Sequence, residues 1–268
     1  MEGYRIGIVG CAGRMGRMLS RVVHETEGCL LAGGSDRAES GAVGSDLGLL
    51  AGIGPLDLPV GEDSVALIAA SDAIIDFTTP AATAAHADLA AQARAVHVIG
   101  TTGLGEAEQA RIDLAAKHTA VVQAANMSLG VNLLLGLVEQ VARALDPDYD
   151  IEILDLHHRH KADAPSGTAL ALGRAAAEGR GIALDDTAVR SRDGIVGPRK
   201  AGDIGFGVLR GGDVAGDHSV IFAGPGERVI LEHRATSREV FAKGAVKAAL
   251  WARDRKPGLY SMRDVLGI

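Results

Sequence analysis

The chain has 268 residues, a formal net charge of −7 and 47% hydrophobic residues. That length suits one large domain or two ordinary ones, with ample apolar content for a packed core. The acidic balance argues against a general nucleic-acid or anionic-membrane binder, yet leaves room for a local basic pocket that takes a small acidic substrate. Two cysteines, Cys11 and Cys29, fit a reducing compartment, and neither has metal-ligand spacing. Residues 1–5 lead into a short apolar run broken by glycines, neither a signal peptide nor a membrane span. A cytoplasmic protein with no membrane or nucleic-acid partner is expected.

Residues 6–9 read as a buried strand. The turn from Gly10 to Gly16 runs into a helix with Met15, Met18, Leu19, Val22 and Val23 at helical spacing. Residues 29–32 form a second strand, so a βαβ unit closes at Asp36. Strand-like runs follow at 73–77, 96–99 and 120–122, separated by alanine-rich helical stretches at 80–94 and 104–117. Strands alternating with helices predict an α/β domain, a Rossmann-type doubly wound parallel sheet. The pattern changes after Asn126. A long amphipathic helix at 129–145 precedes a strand at 151–156 that ends on a run of histidines. Runs at 204–209, 218–222 and 228–233, joined by glycine-rich turns, predict an antiparallel meander in a second domain. Residues 194–203 read as a mobile loop, and 240–252 as a helix able to pack on either domain.

Gly10-Cys11-Ala12-Gly13-Arg14-Met15-Gly16 places three glycines at GxxGxxG spacing between a strand and a helix. Glycine lets backbone N–H groups approach a pyrophosphate at the helix N-terminus. Asp36, at the end of the second strand, suits an adenosine ribose hydroxyl. Arg37 and Arg14 suit a 2′-phosphate, so NADH and NADPH are both expected cofactors. The bland readings are a turn that only packs tightly, and solvated surface arginines. Cys11 reads as a small packing residue within the turn. Gly100-Thr101-Thr102-Gly103 and Ala124-Ala125-Asn126-Met127-Ser128 each follow a predicted strand, at the edge where such sheets bind ligands. Taken alone, each is a plain loop.

His157, His158, Arg159, His160 and Lys161 are five consecutive groups that can carry positive charge. Asp163-Ala164-Pro165-Ser166-Gly167-Thr168 follows as a helix start. Histidine titrates near neutrality and serves as a general acid. Lysine is a point charge for a carboxylate. Backbone amides at Ser166, Gly167 and Thr168 suit an anion. The alternatives are a solvated basic turn or a metal site through His157-x-x-His160, which no acid or cysteine at a supporting spacing backs and which Lys161 opposes. His24, His86, His97, His118, His218 and His233 read as structural or surface residues.

On these motifs the sequence resembles the 4-hydroxy-tetrahydrodipicolinate reductase (dihydrodipicolinate reductase) family over nearly its whole length. GxxGRMG, GTTG, the AAN-x-SxGVN of 124–132 and the HHRHKxDAPSGTA of 157–169 occur in family order and spacing. Arg210-x-Gly212, Gly216-Asp217-His218 and the 238–245 segment before Trp251 match as well. The resemblance implies a discontinuous dinucleotide domain, 1–127 with 238–268, and a substrate domain, 128–237, with a mixed sheet that assembles a homotetramer. It implies NAD(P)H-dependent reduction of a cyclic dicarboxylate in lysine and diaminopimelate biosynthesis. His157 would be the proton donor, His158 and Lys161 substrate contacts, Lys161 an alternative donor, and Gly167-Thr168 the carboxylate contact. Cofactor contacts would come from Gly10 to Gly16, Asp36, Arg37, Gly100, Thr101, Thr102, Ala124, Ala125, Asn126 and Met127. Two positions depart from the family. Met127 stands where phenylalanine is common, and Thr79 replaces a basic residue present in some relatives. The rival readings are another two-domain NAD(P) oxidoreductase and a nucleotide sensor without catalysis.

Overall fold

The computed structural model describes residues 3–268; Met1 and Glu2, the first residues of the expected dinucleotide domain and of the start read as leaderless, lie outside them. In chain order, β1 (Tyr4–Val9), α1 (Arg14–Glu25), β2 (Cys29–Ser35), α2 (Leu47–Ala51), α3 (Ser64–Ala69) and β3 (Ala73–Asp76) come first. Then follow α4 (Pro80–Ala93), β4 (Val96–Ile99), α5 (Glu106–Ala115) and β5 (Ala120–Gln123). A second compact unit holds α6 (Leu129–Ala144), β6 (Asp150–His157), α7 (Gly167–Arg180), α8 (Leu184–Thr187), β7 (Ala188–Val189), β8 (Ile204–Arg210), β9 (Gly216–Gly224) and β10 (Glu227–Ala235). The chain returns to the first unit with α9 (Glu239–Ala252), β11 (Gly258–Tyr260) and α10 (Met262–Leu266).

The first unit is a six-stranded parallel sheet in the order β11-β5-β4-β3-β1-β2. Every residue of β3 and β4 is buried. Near-continuous apolar runs are what a sheet covered on both faces requires. Helix starts are set locally: Asp46 and Asp63 cap α2 and α3, and Thr79 caps α4 with Pro80 at its first position. Two close approaches depend on glycine. A Cβ at Gly16 would fall 2.2 Å from the Gly10 carbonyl oxygen, and one at Gly244 of α9 would fall 1.7 Å from that of Met127.

The second unit is a five-stranded mixed sheet in the order β10-β9-β6-β8-β7. This corrects the expected meander. Only β9 and β10 are joined as a hairpin; β8 lies on the other side of β6 and runs parallel to it. The reason lies in the connection after β8, which wraps over the end of β6. There Gly211 N donates to His157 O (2.9 Å), and His158 N donates to Val214 O (2.8 Å). Side chains of α6 and α7, including Leu134, Val138 and Leu172, pack with Ile153, Phe206 and Phe222 of the sheet. Leu154, Leu209 and Ile230 remain exposed. The expected mobile loop at 194–203 is anchored: Arg199 donates to Asp150 Oδ1 (2.6 Å), Glu152 Oε1 (3.0 Å) and Ile151 O (3.0 Å). Among the described residues no helix is long and apolar enough to cross a membrane.

Candidate active site

Strand alternation builds a candidate site in the second unit. On β6, Ile151, Ile153, Asp155 and His157 share the buried face. The core face therefore turns polar at its last two positions. Asp155 is fully buried and His157 is 8% exposed. Asp155 Oδ1 lies 2.9 Å from His157 Nδ1 and 3.4 Å from His218 Nε2 of β9, both as ion-pair contacts at bent angles. The two imidazoles meet edge to face at 5.1 Å. Asp155 Oδ2 accepts from Ser166 N (2.8 Å) and from Arg210 Nη2 (3.2 Å). Burial works against this charge most strongly, but His157, His218 and Ser166 outweigh it and hold the carboxyl far below the usual carboxylate range.

Beside this cluster α7 begins. Ser166 caps it, its Oγ accepting from Ala169 N (3.1 Å) and lying 3.3 Å from His218 Nε2. Gly167 is exposed, and a Cβ there would meet no atom within 4 Å. The fold's packing does not demand that glycine, and the helix N-terminus there stands open, as the backbone amides of an anion site would need. Lys161 Nζ pairs with Asp163 Oδ1 at 2.8 Å. His158 Nε2 lies 3.2 Å from Arg238 Nη2. Desolvation first, then the positive charge of Arg238 and of its cationic neighbours, lowers the pKa of His158. His160 is exposed and neighbours the His158 ring at 6.3 Å. Asp155, His157 and His218 are grouped tightly enough for a cation, with donor atoms within 4.8 Å of one another. The Arg210 guanidinium on the same carboxylate disfavours one there.

A separate candidate site lies in the first unit. A cavity of about 610 Å³ is bordered by Gly10, Ala12, Gly13, Asp36, Arg37 and His86, among others. Gly10 has φ +69°, a conformation suited to glycine, and a Cβ there would meet Thr78 at 2.7 Å. Gly13 caps α1 without a side-chain acceptor, so the first-turn amides suit an anion. Asp36 accepts from Ala12 N (2.8 Å) and Arg37 N (2.9 Å). The turn, the helix start and the carboxylate fit a dinucleotide, with amides for the pyrophosphate and an acid for the ribose.

A second buried acid organises the neighbouring loops. Asp76 accepts from Thr78 N (2.9 Å) and Thr78 Oγ (2.6 Å), and lies 2.8 Å from His86 Nδ1 and 3.4 Å from His97 Nε2. Thr101 Oγ donates to it at 3.3 Å. Burial opposes its ionisation most, but the hydrogen bonds and charges of His86 and His97 prevail and hold the carboxyl well below its usual range.

Models of the dihydrodipicolinate reductase N-terminus and C-terminus match residues 4–127 and 130–266. The chain belongs to the dihydrodipicolinate reductase family. It is 61% identical over 262 residues to 4-hydroxy-tetrahydrodipicolinate reductase 1 of Mesorhizobium japonicum, covering 97% of this chain and 96% of that one. It is 58% identical over 268 residues to the 4-hydroxy-tetrahydrodipicolinate reductase of Rhizobium rhizogenes, covering 100% and 98%. The dipicolinate-bound dihydrodipicolinate reductase from Paenisporosarcina sp. TG-14 shares the fold, with a TM-score of 0.76, 24% identity and 97% coverage of each chain.

The residues expected at the family's cofactor site differ in burial and partners. Cys11 is fully buried beside Gly34, and burial first, with the charge of Asp36 adding, pushes its thiol up to about 12. It packs the turn and does not border the cavity. Arg14 is exposed in the first turn of α1, with Met15 half-buried beside it, whereas Arg17 borders the cavity and donates to Ala12 O (2.8 Å). A Cβ at Gly100 would collide with the Phe77 ring at 2.3 Å. Thr101 is buried against Asp76, and Thr102 is exposed. Ala124 N donates to Ile99 O (3.1 Å), Ala125 is exposed, and Asn126 Oδ1 accepts from Ser128 N (2.8 Å). The Met127 side chain is 1% exposed. It packs inside the first unit. Asp155, His218, Asp76 and His86 were missed by motif reading. Strand period alone places Asp155 on the face of His157, whereas the two histidines have no local signal.

Proposed function

We infer that this protein reduces 4-hydroxy-tetrahydrodipicolinate to tetrahydrodipicolinate with NADH or NADPH, in lysine and diaminopimelate biosynthesis. The carrying observation is the His157–Asp155 pair beside the N-terminus of α7, within a chain whose family match spans both units. The dipicolinate bound by the related structure supports a ring dicarboxylate as the ligand class. Net, the hydroxylated ring loses water and gains a hydride and a proton. Bound NAD(P)H supplies the hydride to one ring carbon. His157 protonates the neighbouring carbon as negative charge develops there. Lys161 exchanges its ion pair with Asp163 for one substrate carboxylate. The amides of Gly167 and Thr168 hold the other, aided by the α7 dipole. His158, held at Arg238, adds a polar contact to the ring.

The exposed Leu154, Leu209 and Ile230 lie on the sheet face opposite the α6–α7 core and support self-association through that sheet, in line with the homotetramer that the family resemblance implies. Biosynthetic reductase relatives, together with the lack of a membrane-crossing helix among the described residues, support a cytoplasmic site. NADH and NADPH oxidation with enzymatically generated 4-hydroxy-tetrahydrodipicolinate tests the reading. Steady turnover is expected. Tight NADH binding without turnover would mark a sensor, and turnover only on another substrate would mark a different oxidoreductase.

A further inference from the structure

We propose that Asp155 and His218 are positioning residues that aim the His157 ring and lock it to the start of α7; this rests on the reading of His157 as proton donor. A strand that only closed a core would carry an apolar residue at 155, as it does at 151 and 153. Burying a carboxylate there is costly unless it is well partnered. Its two oxygens divide the work. Oδ1 faces the Nδ1 edge of His157 at 2.9 Å, which selects the ring orientation with Nδ1–H toward the acid and Nε2 as the proton-giving atom. Oδ2 accepts from Ser166 N, the residue that caps α7. His218 closes the loop: its Nε2 lies 3.4 Å from Asp155 Oδ1 and 3.3 Å from Ser166 Oγ. Donor and anion cradle thus share one anchor. Gly216 completes the arrangement, since a Cβ there would sit 2.9 Å from His157 Nε2 and 3.3 Å from His218 Cε1. The glycine keeps the space beside the proton-giving atom clear.

The test compares wild type, His157→Gln, Asp155→Asn, Asp155→Glu and His218→Gln in full-length protein. Turnover, substrate KM and NADH affinity are measured, with ¹⁵N NMR of the His157 ring as the readout of tautomer. Misaiming a general acid forfeits part of its typical contribution of about 10²-fold or more, so Asp155→Asn should lower kcat by roughly 30-fold and His218→Gln by roughly 10-fold. NADH affinity should stay within about two-fold of wild type, because one tenfold step is already about 1.4 kcal/mol of lost contact. Where the ring is neutral, His157 should carry its proton on Nδ1 in wild type and show mixed tautomers in both variants; the donating form is the imidazolium, which gives up its Nε2 proton and keeps Nδ1–H toward Asp155. Asp155→Glu should recover part of the rate. Near-wild-type kcat with an unchanged tautomer in both variants, while His157→Gln is inactive, overturns the positioning role alone. A rate loss that only follows loss of folded protein, with the tautomer unchanged, does the same. Equal turnover of wild type and His157→Gln overturns the donor reading and this proposal with it.

Discussion

Asp76→Asn is the sharpest test of how the cofactor unit is built. The carboxylate is fully buried and gathers Thr78, His86, His97 and Thr101 from three segments of chain. Asparagine keeps one carbonyl acceptor for Thr78 but turns an NH₂ toward the two imidazoles. Hydrogen bonds to charged groups are worth about 1.5–3 kcal/mol, and breaking a buried charge pair costs about 3–5 kcal/mol. With one acceptor retained, a loss of about 3 kcal/mol is expected at pH 7, at the low end of that range. Because the folded carboxyl is held below its unfolded value, its contribution is complete above that value and fades as pH falls toward the folded one. With an unfolded value of about 3.9, the gap between wild type and variant should shrink by roughly 0.7 kcal/mol at pH 3.5. The single tryptophan, Trp251, lies in α9 of the same unit against Tyr260. Its fluorescence in urea titrations reports the unfolding of that unit. A gap below about 1 kcal/mol at pH 7 would refute the hub, since even one net charge-assisted bond exceeds that.

Other expectations follow from the same geometry. Lys161→Ala should raise substrate KM by roughly tenfold or more, the worth of one charge-assisted contact, with NADH affinity unchanged; a parallel collapse of kcat would make Lys161 the donor. Both cofactors should be used, with NADH equal or preferred, because Asp36 repels a 2′-phosphate that Arg37 attracts. Arg37→Ala and added salt should each weaken NADPH more than NADH, and strict NADPH dependence of the wild type would contradict this. Gly16→Ala should cost about 2 kcal/mol or more and weaken NADH, since its Cβ would meet the Gly10 carbonyl at 2.2 Å. Wild-type affinity in that variant would show the turn to be softer than its packing implies.

Local signals carried the legible part of the molecule. The glycine turn, the alternation of strands with alanine-rich helices, and the His157–Thr168 run each lie within a short stretch, so spacing reveals them. The parallel sheet followed from that alternation. The neighbour order of β6, β8, β9 and β10 did not. Strand-like runs identify strands but not partners, and the hydrogen bonds of Gly211 and Val214 over the end of β6 set the order. β11 has three residues, too few for a periodic signal. His218 lies 52 residues from Ser166, and His86 and His97 reach Asp76 only once α4 and β4 have packed. No sequence period marks such contacts. Nor does the local spacing at 124–128 signal that the Met127 side chain is buried, with Gly244 of α9 closely approaching its backbone carbonyl.

The most direct test of the central claim is the turnover of His157→Gln with 4-hydroxy-tetrahydrodipicolinate and NADH, alongside its NADH dissociation constant. His157 is placed on Asp155 in the second unit, whereas the nucleotide cavity is lined by residues of the first. The account predicts a kcat lower by about 10²-fold or more, the usual worth of a general acid, with NADH affinity unchanged. A kcat near that of the wild type would remove His157 from the donor role.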